Sequence, residues 1–513
     1  MNDLLRRPLA AATVLLCLAF RTQNFHTLAT MKFPSLPKEE KKRMQVAAVV
    51  FFIALLILRL LSSTTSDEGD SVMHYLFAKY AFKHPDHFFH QWAKPVYVLV
   101  MAPFAQFGFK AVQIVNLIFT AINFYLVYKL AVKLLIPKAW MASFIYASIP
   151  LAILISMSGL TEPLFACILL LSMLYTAEKR YYAGLILLSF LPFVRSEGLV
   201  VCCVFLIYLF VIEKYELIPL LATGHIVYGL AGSFVHGDVM WVFTKLSYAT
   251  LTSAYGSGKW GHFFQVMPEI TGVVVQYLLW IGMFFGIILF VRYLRKKAAA
   301  HEINELWLVY AVFASVFVGH TIFWALGIFN SMGLIRPFAG VAPFIAIIAL
   351  RGIQYISSPL QQWAASKYLQ FGLLAAILIF PYTSNFYAYK WERDWTLKAD
   401  QRAQLRLVDF IKTNYPDYKK YTFYHVLPWV SVQLNQDWFD PKQHIHINDA
   451  FRLNQFKTGD LLIWDDWFAV VEGNATLEAI EKDARFEKIK TEQEKDFWGG
   501  TRKTVLFRYN YPR

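Results

Sequence analysis

Apolar stretches of about 20 residues, each long enough to cross a bilayer as a helix, recur along this sequence and constrain its fold more than any other feature. Hydrophobic residues make up 57% of the 513 positions, whereas charged residues make up only 16%. A single water-soluble core does not require this much apolar material. The sequence therefore predicts an all-α polytopic membrane protein.

Basic residues give the chain a net charge of +14, and they lie mainly in the short gaps between the apolar stretches. Lysine and arginine in such gaps set the orientation of membrane helices, so the charge does not indicate a nucleic-acid partner. Lys41, Lys42 and Arg43 precede the first secure span, Val46 to Leu61, which is therefore expected to begin in the cytoplasm.

About eleven membrane helices are expected if each crossing takes about 20 apolar residues. Two of these helices are short and meet at an apex, Arg195-Ser196-Glu197-Gly198. The segment Lys94 to Gly108 is short and contains two prolines, which favours an interfacial or re-entrant helix over a crossing. The other predicted spans are Ala111 to Leu130, Ala139 to Met157, Leu160 to Thr176, Leu217 to Val235, Thr271 to Val291, Leu306 to Leu326, Leu334 to Leu350 and Gln370 to Tyr387.

Three regions follow from this pattern. Residues 1–44 are predicted to be a cytoplasmic segment, of which residues 1–30 either belong to the protein or precede a later start at Met31. Residues 45–387 are predicted to form the transmembrane domain, with an outer catalytic loop at 62–93. Residues 388–513 are predicted to form a small extracytoplasmic α/β domain. Its expected strands are Tyr421 to Val426, Leu461 to Trp464 and Thr504 to Tyr509, and its expected helices are Ala403 to Tyr415 and Ala475 to Ala484.

Two acidic residues, Asp67 and Glu68, stand just beyond the first secure span, where lipid headgroups meet water. They are either solvated loop acids, since acidic residues are mostly exposed, or functional groups, since acidic side chains at a membrane boundary are energetically costly. Lys94 follows in the same outer segment and could hold a phosphate. A carboxylate that takes a proton and a cation that stabilises a leaving phosphate together suit a transferase.

Three further sets of charged residues have both a structural and a functional interpretation. Glu162 either favours the start of a helix through the helix dipole or faces the same cavity as Asp67. Arg195 and Glu197 either pair with each other or contact the substrate. Arg336 either anchors the outer end of a span or supplies a second ligand to the phosphate.

The histidines His84, His87 and His90 recur every three residues, so on a helix they would share one side. They either pack at the interface, with His90 near the acceptor, or hold a divalent metal ion. Tyr255 belongs to a glycine-containing loop that either covers a substrate or is an ordinary surface loop. The segment Trp464 to Trp467 is interpreted as a turn, with stacking on a sugar acceptor as the alternative.

In these motifs the chain resembles the GT-C superfamily of integral-membrane glycosyltransferases, especially protein O-mannosyltransferases and the lipid A aminoarabinose transferase. The resemblance covers roughly Val46 to Tyr387 and rests on Asp67-Glu68, Lys94-Pro95 and Thr161-Glu162-Pro163. It implies that Asp67 is the catalytic carboxylate, Glu68 its support, and Lys94 a ligand of the donor phosphate. Ala93 stands where relatives often have an acid, and a single Pro95 replaces the usual pair of prolines.

The resulting prediction is a glycosyltransferase that moves a monosaccharide, such as mannose, from a polyprenyl-phosphate donor to a lipid, glycan or protein acceptor. Its expected location is the outer face of a bacterial plasma membrane. A nucleotide-sugar donor is disfavoured, because the sequence has no soluble cytoplasmic domain to bind one. The alternatives are a lipid-linked glycan flippase or transporter, which is not an enzyme, and a glycan polymerase or ligase. No cofactor is required by these motifs, and a divalent metal stays an alternative.

Overall fold

The computed structural model describes residues 38–67, 69–246, 251–253, 255–360, 365–383 and 389–510. Within these ranges the chain consists of a large helical region followed by a smaller region that contains a sheet. Glu68 and the predicted start-site segment of residues 1–30 lie outside the described residues.

Seven helices of the described chain are long and apolar enough to cross a membrane, by length and composition. The protein is therefore a multi-pass membrane protein, as the sequence predicts. The seven are Lys38–Leu61, Phe109–Lys133, Tyr215–His236, Val273–Leu294, Ala300–Leu326, Arg336–Ser357 and Ala365–Tyr382. Shorter apolar helices are Pro95–Ala105, Glu162–Ala177, Tyr181–Phe193 and Gly198–Val211.

Prolines interrupt or shorten several of the predicted spans. The span predicted from Ala139 to Met157 consists of two short helices, Trp140–Ser148 and Pro150–Ser156, with Ile149 in an extended conformation between them. Pro150 causes the break, because proline lacks an N–H and excludes the helical conformation at the residue before it. The helix Pro95–Ala105 has only 11 residues, or about 16 Å, against a bilayer core of about 30 Å.

Two membrane helices pack in backbone contact through glycines. A Cβ atom added to Gly282 would lie 2.0 Å from the carbonyl oxygen of Ile348, and one added to Gly352 would lie 2.1 Å from that of Leu278. Small residues at such positions let helices in a membrane approach each other closely. The helices Val273–Leu294 and Ala342–Ser357 therefore form a tightly packed pair.

Side-chain amides on one face of the helix Phe109–Lys133 hold the turn that follows Ser156. Asn116 donates to the carbonyl oxygens of Ser158 and Leu160 at 2.8 and 2.9 Å, and Asn123 donates to that of Pro163 at 3.0 Å. These amides are buried, so the hydrogen bonds satisfy polar groups that would otherwise be costly. They fix the segment that begins the helix Glu162–Ala177.

The C-terminal region contains a sheet of five strands, β1 (Phe423–Tyr424), β2 (His444–Ile445), β3 (Leu461–Asp465), β4 (Phe486–Lys495) and β5 (Thr501–Tyr509). Their order in the sheet is β2-β1-β3-β5-β4. The strands β1 and β2 pair in parallel, as do β1 and β3, whereas β5 is antiparallel to β3 and β4. The predicted small α/β region is thus confirmed. The α-helices are Ala399–Asn414, Pro428–Leu434, Ile447–Leu453, Phe468–Val471 and Leu477–Lys482.

This C-terminal region packs against the segment that follows the first long helix. Thr65 and Gln401 exchange side-chain hydrogen bonds, and the Tyr80 hydroxyl donates to the Gln436 carbonyl at 2.8 Å. Lys83 pairs with Asp437 at 2.7 Å. Short helices also occur in the segments between the membrane helices, namely Asp70–Tyr80, Pro85–Phe89, Trp241–Thr244, His262–Gln265 and Met267–Thr271.

Candidate active site

A cavity of about 910 Å³ lies between one end of the membrane helices and the C-terminal region. The segment that follows the first long helix, the apex between two short helices and the start of the helix Arg336–Ser357 all contribute to its wall. It therefore brings together residues that are far apart in the sequence. Its polar and charged lining includes Asp67, Asp70, His74, Gln91, Lys94, Thr161, Arg195, Ser196, Glu197, Tyr255, His320, Arg336, His446 and Glu472.

Asp67 and Asp70 share one guanidinium group. Arg336 Nη1 lies 3.2 Å from Asp67 Oδ2, and Arg336 Nη2 donates to Asp70 Oδ2. The side chain of Asp67 remains 30% exposed, so a molecule in the cavity could reach it. This partner could not be predicted from sequence position, since 269 residues separate Asp67 from Arg336.

The loop that carries Asp67 is held in place by its neighbours. The Ser66 hydroxyl donates to the Leu154 carbonyl at 2.6 Å, and Ser66 has a φ of +61°. The Ser71 hydroxyl donates to the Thr65 carbonyl at 3.0 Å and accepts from the Gly159 N–H at 2.7 Å. One side of the loop is therefore tied to the helix Pro150–Ser156, and the other side is tied to the turn at Gly159.

Lys94 lies on the cavity wall at the start of the helix Pro95–Ala105. Its Nζ donates to the Ser196 hydroxyl at 2.9 Å. Only 9% of the residue is exposed, and burial lowers the pKa of this ammonium from 10.5 to about 8, although Glu197 and Asp70 act in the opposite direction. Lys94 has a φ of +66°, which is uncommon for a residue with a side chain. Such backbone strain is concentrated at functional sites.

Arg195 forms the centre of a buried ion-pair network. Its Nη1 lies 2.6 Å from Glu162 Oε1, and its Nη2 lies 2.8 Å from Glu197 Oε1. Glu162 is fully buried beneath Arg195, whereas Arg195 and Glu197 line the cavity. The pairing interpretation of Arg195 and Glu197 agrees with this geometry, and a substrate role for Glu162 and Arg195 stays a prediction.

His320 extends the same network from a membrane helix. Its Nε2 lies 3.3 Å from Glu197 Oε1. Burial would raise the pKa of Glu197, but Arg195 and His320 more than offset it and hold that pKa well below its ordinary value. Sequence reasoning missed His320, and the signal available was a titratable side chain inside an apolar span. Sequence reasoning also assigned no role to Asp70.

His74 is another cavity residue that the sequence interpretation did not select. Its ring stacks on Trp92 with centroids 5.0 Å apart, and the residue is 6% exposed. Burial, followed by the cations Arg336 and Lys94, lowers the pKa of His74 well below 6.5. This imidazole is therefore neutral at physiological pH.

The predicted histidine cluster is occupied by other contacts. His84 Nε2 lies 2.9 Å from Asp437 Oδ2, and the His87 ring lies 4.1 Å from that of Phe439. The His90 ring packs on Phe77, with centroids 4.8 Å apart. Across the described residues, no group of three or more His, Cys, Asp or Glu side chains has the arrangement of a metal site.

The C-terminal region supplies the outer wall of the cavity. Trp467 and Phe468 line it and lie next to Asp465, whose carboxylate accepts from the N–H groups of Trp467, Phe468 and Ala469. Asp465 thus caps a short helix, as expected for a turn after a strand. Trp467 is 50% exposed, so its ring faces open space at the cavity.

One flank of the cavity is apolar. Its side chains come from the ends of the helices Gly198–Val211 and Val312–Leu326, from the segment after the second of these helices, and from the residues after the short helix Trp241–Thr244. They lie next to the charged residues, so the cavity has a polar part and an apolar part. The apolar residues are Leu199, Val200, Leu246, Phe323, Phe329, Met332 and Leu334.

No family model and no curated protein matches this chain. Among solved structures, it is similar to ArnT from Cupriavidus metallidurans bound to undecaprenyl phosphate, with a TM-score of 0.52 and 10% identity over 89% of this chain and 97% of that one. The same protein in its apo state gives a TM-score of 0.51 at 10% identity, over 90% of this chain and 98% of the other. An Archaeoglobus fulgidus oligosaccharyltransferase tethered to an acceptor peptide gives a TM-score of 0.49 at 12% identity, over 93% of this chain and 74% of the other. ArnT is a member of the GT-C superfamily. The chain therefore has the GT-C fold.

Proposed function

We propose that this protein is a glycosyltransferase that moves a monosaccharide from a polyprenyl-phosphate donor to an acceptor at the outer membrane face. The observation that carries the proposal is one cavity with a partly exposed carboxylate, a buried ammonium and an apolar flank. Undecaprenyl phosphate bound to ArnT, a protein of the same fold, is consistent with such a donor. Mannose is one candidate sugar.

Asp67 acts as the general base in the proposed reaction. It takes the proton of the acceptor hydroxyl while the acceptor oxygen forms a bond to the anomeric carbon of the sugar. The bond from that carbon to the phosphate oxygen breaks, and the polyprenyl phosphate leaves with the electron pair. Arg336 orients Asp67, because a guanidinium group that bonds two carboxylates restricts the rotation of both.

Lys94 stabilises the phosphate on which negative charge develops. A buried ammonium is suited to this, because electrostatic attraction is stronger where water is excluded. Ser196 holds the ammonium at the cavity wall. Arg336 is a second phosphate ligand, since its guanidinium has five N–H donors and only part of them faces the two aspartates.

The apolar flank suits the prenyl chain of the donor. A prenyl chain that lies against side chains such as Leu199, Val200 and Phe323 remains in an apolar environment. The phosphate then lies at the junction between the apolar flank and the charged residues. A flippase would instead need charged groups near the bilayer midplane, but Arg195 and Glu197 line the same outer cavity as Asp67.

The test is transfer from radiolabelled polyprenyl-phosphate sugars to acceptors in a membrane fraction that contains the protein. Asp67→Asn is expected to lower turnover by about 10² to 10⁴, the usual effect of losing a general base. Asp417→Asn is the matched control, because Asp417 has a 67% exposed side chain on the C-terminal surface. Wild-type turnover by Asp67→Asn would remove the base from the mechanism, and absence of transfer from every donor would refute the proposed function.

A further inference from the structure

A second cavity, of about 480 Å³, lies at the opposite end of the membrane helices from the candidate active site. Its polar lining consists of Lys138, Arg351, Gln354, Ser358, Ser366 and Gln370. Arg336 and Arg351 lie near the two ends of one membrane helix, so roughly 20 Å or more separates the two cavities at 1.5 Å per residue. The second cavity is therefore a separate feature.

Lys138 supplies the positive charge of this cavity. Its Nζ donates to Oε1 of Gln370, and Nε2 of the same amide donates to the Ser357 hydroxyl at 2.6 Å. The ammonium also lies 5.7 Å from the centroid of the Phe371 ring. Within the described chain, no carboxylate lies within 4 Å of this ammonium, so neutral groups fix its position and leave its charge unbalanced.

Arg351 contributes hydrogen-bonding capacity but little net charge. Its Nε and Nη2 donate to the two carboxylate oxygens of Glu305 at 2.7 and 2.6 Å. Glu305 is fully buried, and Arg351 Nη1 donates to Gln354 at 2.9 Å. This bidentate pair makes one wall of the cavity rigid and neutral. The net charge of the lining is consequently that of Lys138.

The surroundings of the cavity resemble those of a binding site for a membrane lipid. Three membrane helices border it, namely Val273–Leu294, Arg336–Ser357 and Ala365–Tyr382. Tyr355 lines it and is 39% exposed, and Phe371 beside Lys138 is 42% exposed. A basic pocket between membrane helices is a known arrangement for an anionic headgroup, with apolar surface nearby for its acyl chains.

We propose that this cavity binds a phosphate group, supplied by the headgroup of an anionic phospholipid, through the Lys138 ammonium. The hydroxyls of Ser358 and Ser366 are the neutral donors that line the same space. A free phosphate ion has the same chemistry but lacks acyl chains to lie against Tyr355 and Phe371. This inference does not depend on the proposed transferase activity.

The experiment measures lipid retention by the purified full-length protein with native mass spectrometry, after incubation with phosphatidylglycerol or phosphatidylcholine. We expect selective retention of phosphatidylglycerol, and a decrease of about tenfold or more in its affinity for Lys138→Gln, from the loss of one charge-assisted bond. Lys138→Arg should retain binding, and Lys412→Gln, on a helix of the C-terminal region, should match the wild type. Lys138 is exposed, so neither substitution at this position should impair folding.

Competition with inorganic phosphate separates the two sources of the group. If inorganic phosphate displaces the lipid only when its concentration is far above that of the lipid, the result supports a headgroup site. Displacement by phosphate at concentrations similar to that of the lipid would overturn the lipid assignment. Equal retention of phosphatidylglycerol by the wild type and Lys138→Gln would overturn the proposed site itself.

Discussion

The pKa of Lys94 makes a pH dependence of donor use the sharpest test of the candidate site. Burial lowers this pKa to about 8, compared with 10.5 for an ordinary lysine. A phosphate is stabilised only by the protonated form, which predominates below pH 8. As the pH rises above about 8, the protonated fraction falls by about tenfold per pH unit. The titration of Lys94 should therefore leave kcat/KM for the donor constant below pH 8 and lower it by about tenfold per pH unit above pH 8. This parameter is the suitable one, because kcat/KM reports the ionisable groups of the free enzyme.

Two substitutions determine whether this alkaline decrease belongs to Lys94. In Lys94→Arg the guanidinium stays protonated across the range, so the decrease should disappear, although the absolute rate should be lower because the two cations differ in shape. In Lys94→Ala the donor affinity should fall roughly 10- to 150-fold at pH 7, since a charge-assisted hydrogen bond contributes about 1.5 to 3 kcal/mol. Acceptor affinity should change little.

The assay measures initial rates of sugar transfer at limiting donor and saturating acceptor, between pH 6 and pH 10. Lys412→Arg is the matched control, since this residue is in the C-terminal region and does not line the cavity. An alkaline decrease that persists unchanged in Lys94→Arg would assign the titration to another group. An unaltered apparent donor affinity in Lys94→Ala would remove Lys94 from the donor site.

Three further predictions concern stability. Arg195→Met should lower the free energy of unfolding by about 3 to 5 kcal/mol, because it leaves the buried Glu162 charge unpaired. Wild-type thermal stability in this variant would contradict the proposed ion-pair network. Gly282→Ala should cost about 1 to 3 kcal/mol through overpacking, whereas Gly372→Ala, where a Cβ meets nothing within 4 Å, should not lower the melting temperature, because alanine favours a helix more than glycine does. Glu197 has a lowered pKa, so its contribution to stability is present above about pH 4.5 and is lost as the pH falls toward the folded-state pKa. Glu197→Gln should remove this acid dependence, which thermal unfolding between pH 3 and pH 7 would measure.

The parts of the fold that were predicted are those determined by local composition. Long apolar stretches specify membrane helices wherever they occur, and Lys38–Leu61 and Val273–Leu294 follow from hydropathy alone. The strand β4 was not predicted, because its residues from Glu487 to Lys495 are mostly charged or polar and lack an apolar alternation. Its position at the edge of the sheet explains this composition, since charged side chains protect exposed edges.

The candidate site could be predicted only in part, because its residues come together through tertiary packing. Asp67 and Lys94 were identifiable from their positions next to apolar helices. The contact between Asp67 and Arg336 and that between Glu197 and His320 depend on how distant helices meet, which a single sequence does not specify. The helix that carries His320 is mostly apolar, so hydropathy predicted a membrane span there but not which side chain faces the cavity.

The glycine contact between two membrane helices has a mechanical consequence. The helix Arg336–Ser357 presents one arginine to each cavity, and Gly282 and Gly352 hold it against its neighbour without intervening side chains. A rod clamped in this way cannot easily bend between its ends, because close-packed interiors have low compressibility. The positions of Arg336 and Arg351 relative to each other are therefore set by this helix and its glycine contact, and not by the loops at its two ends.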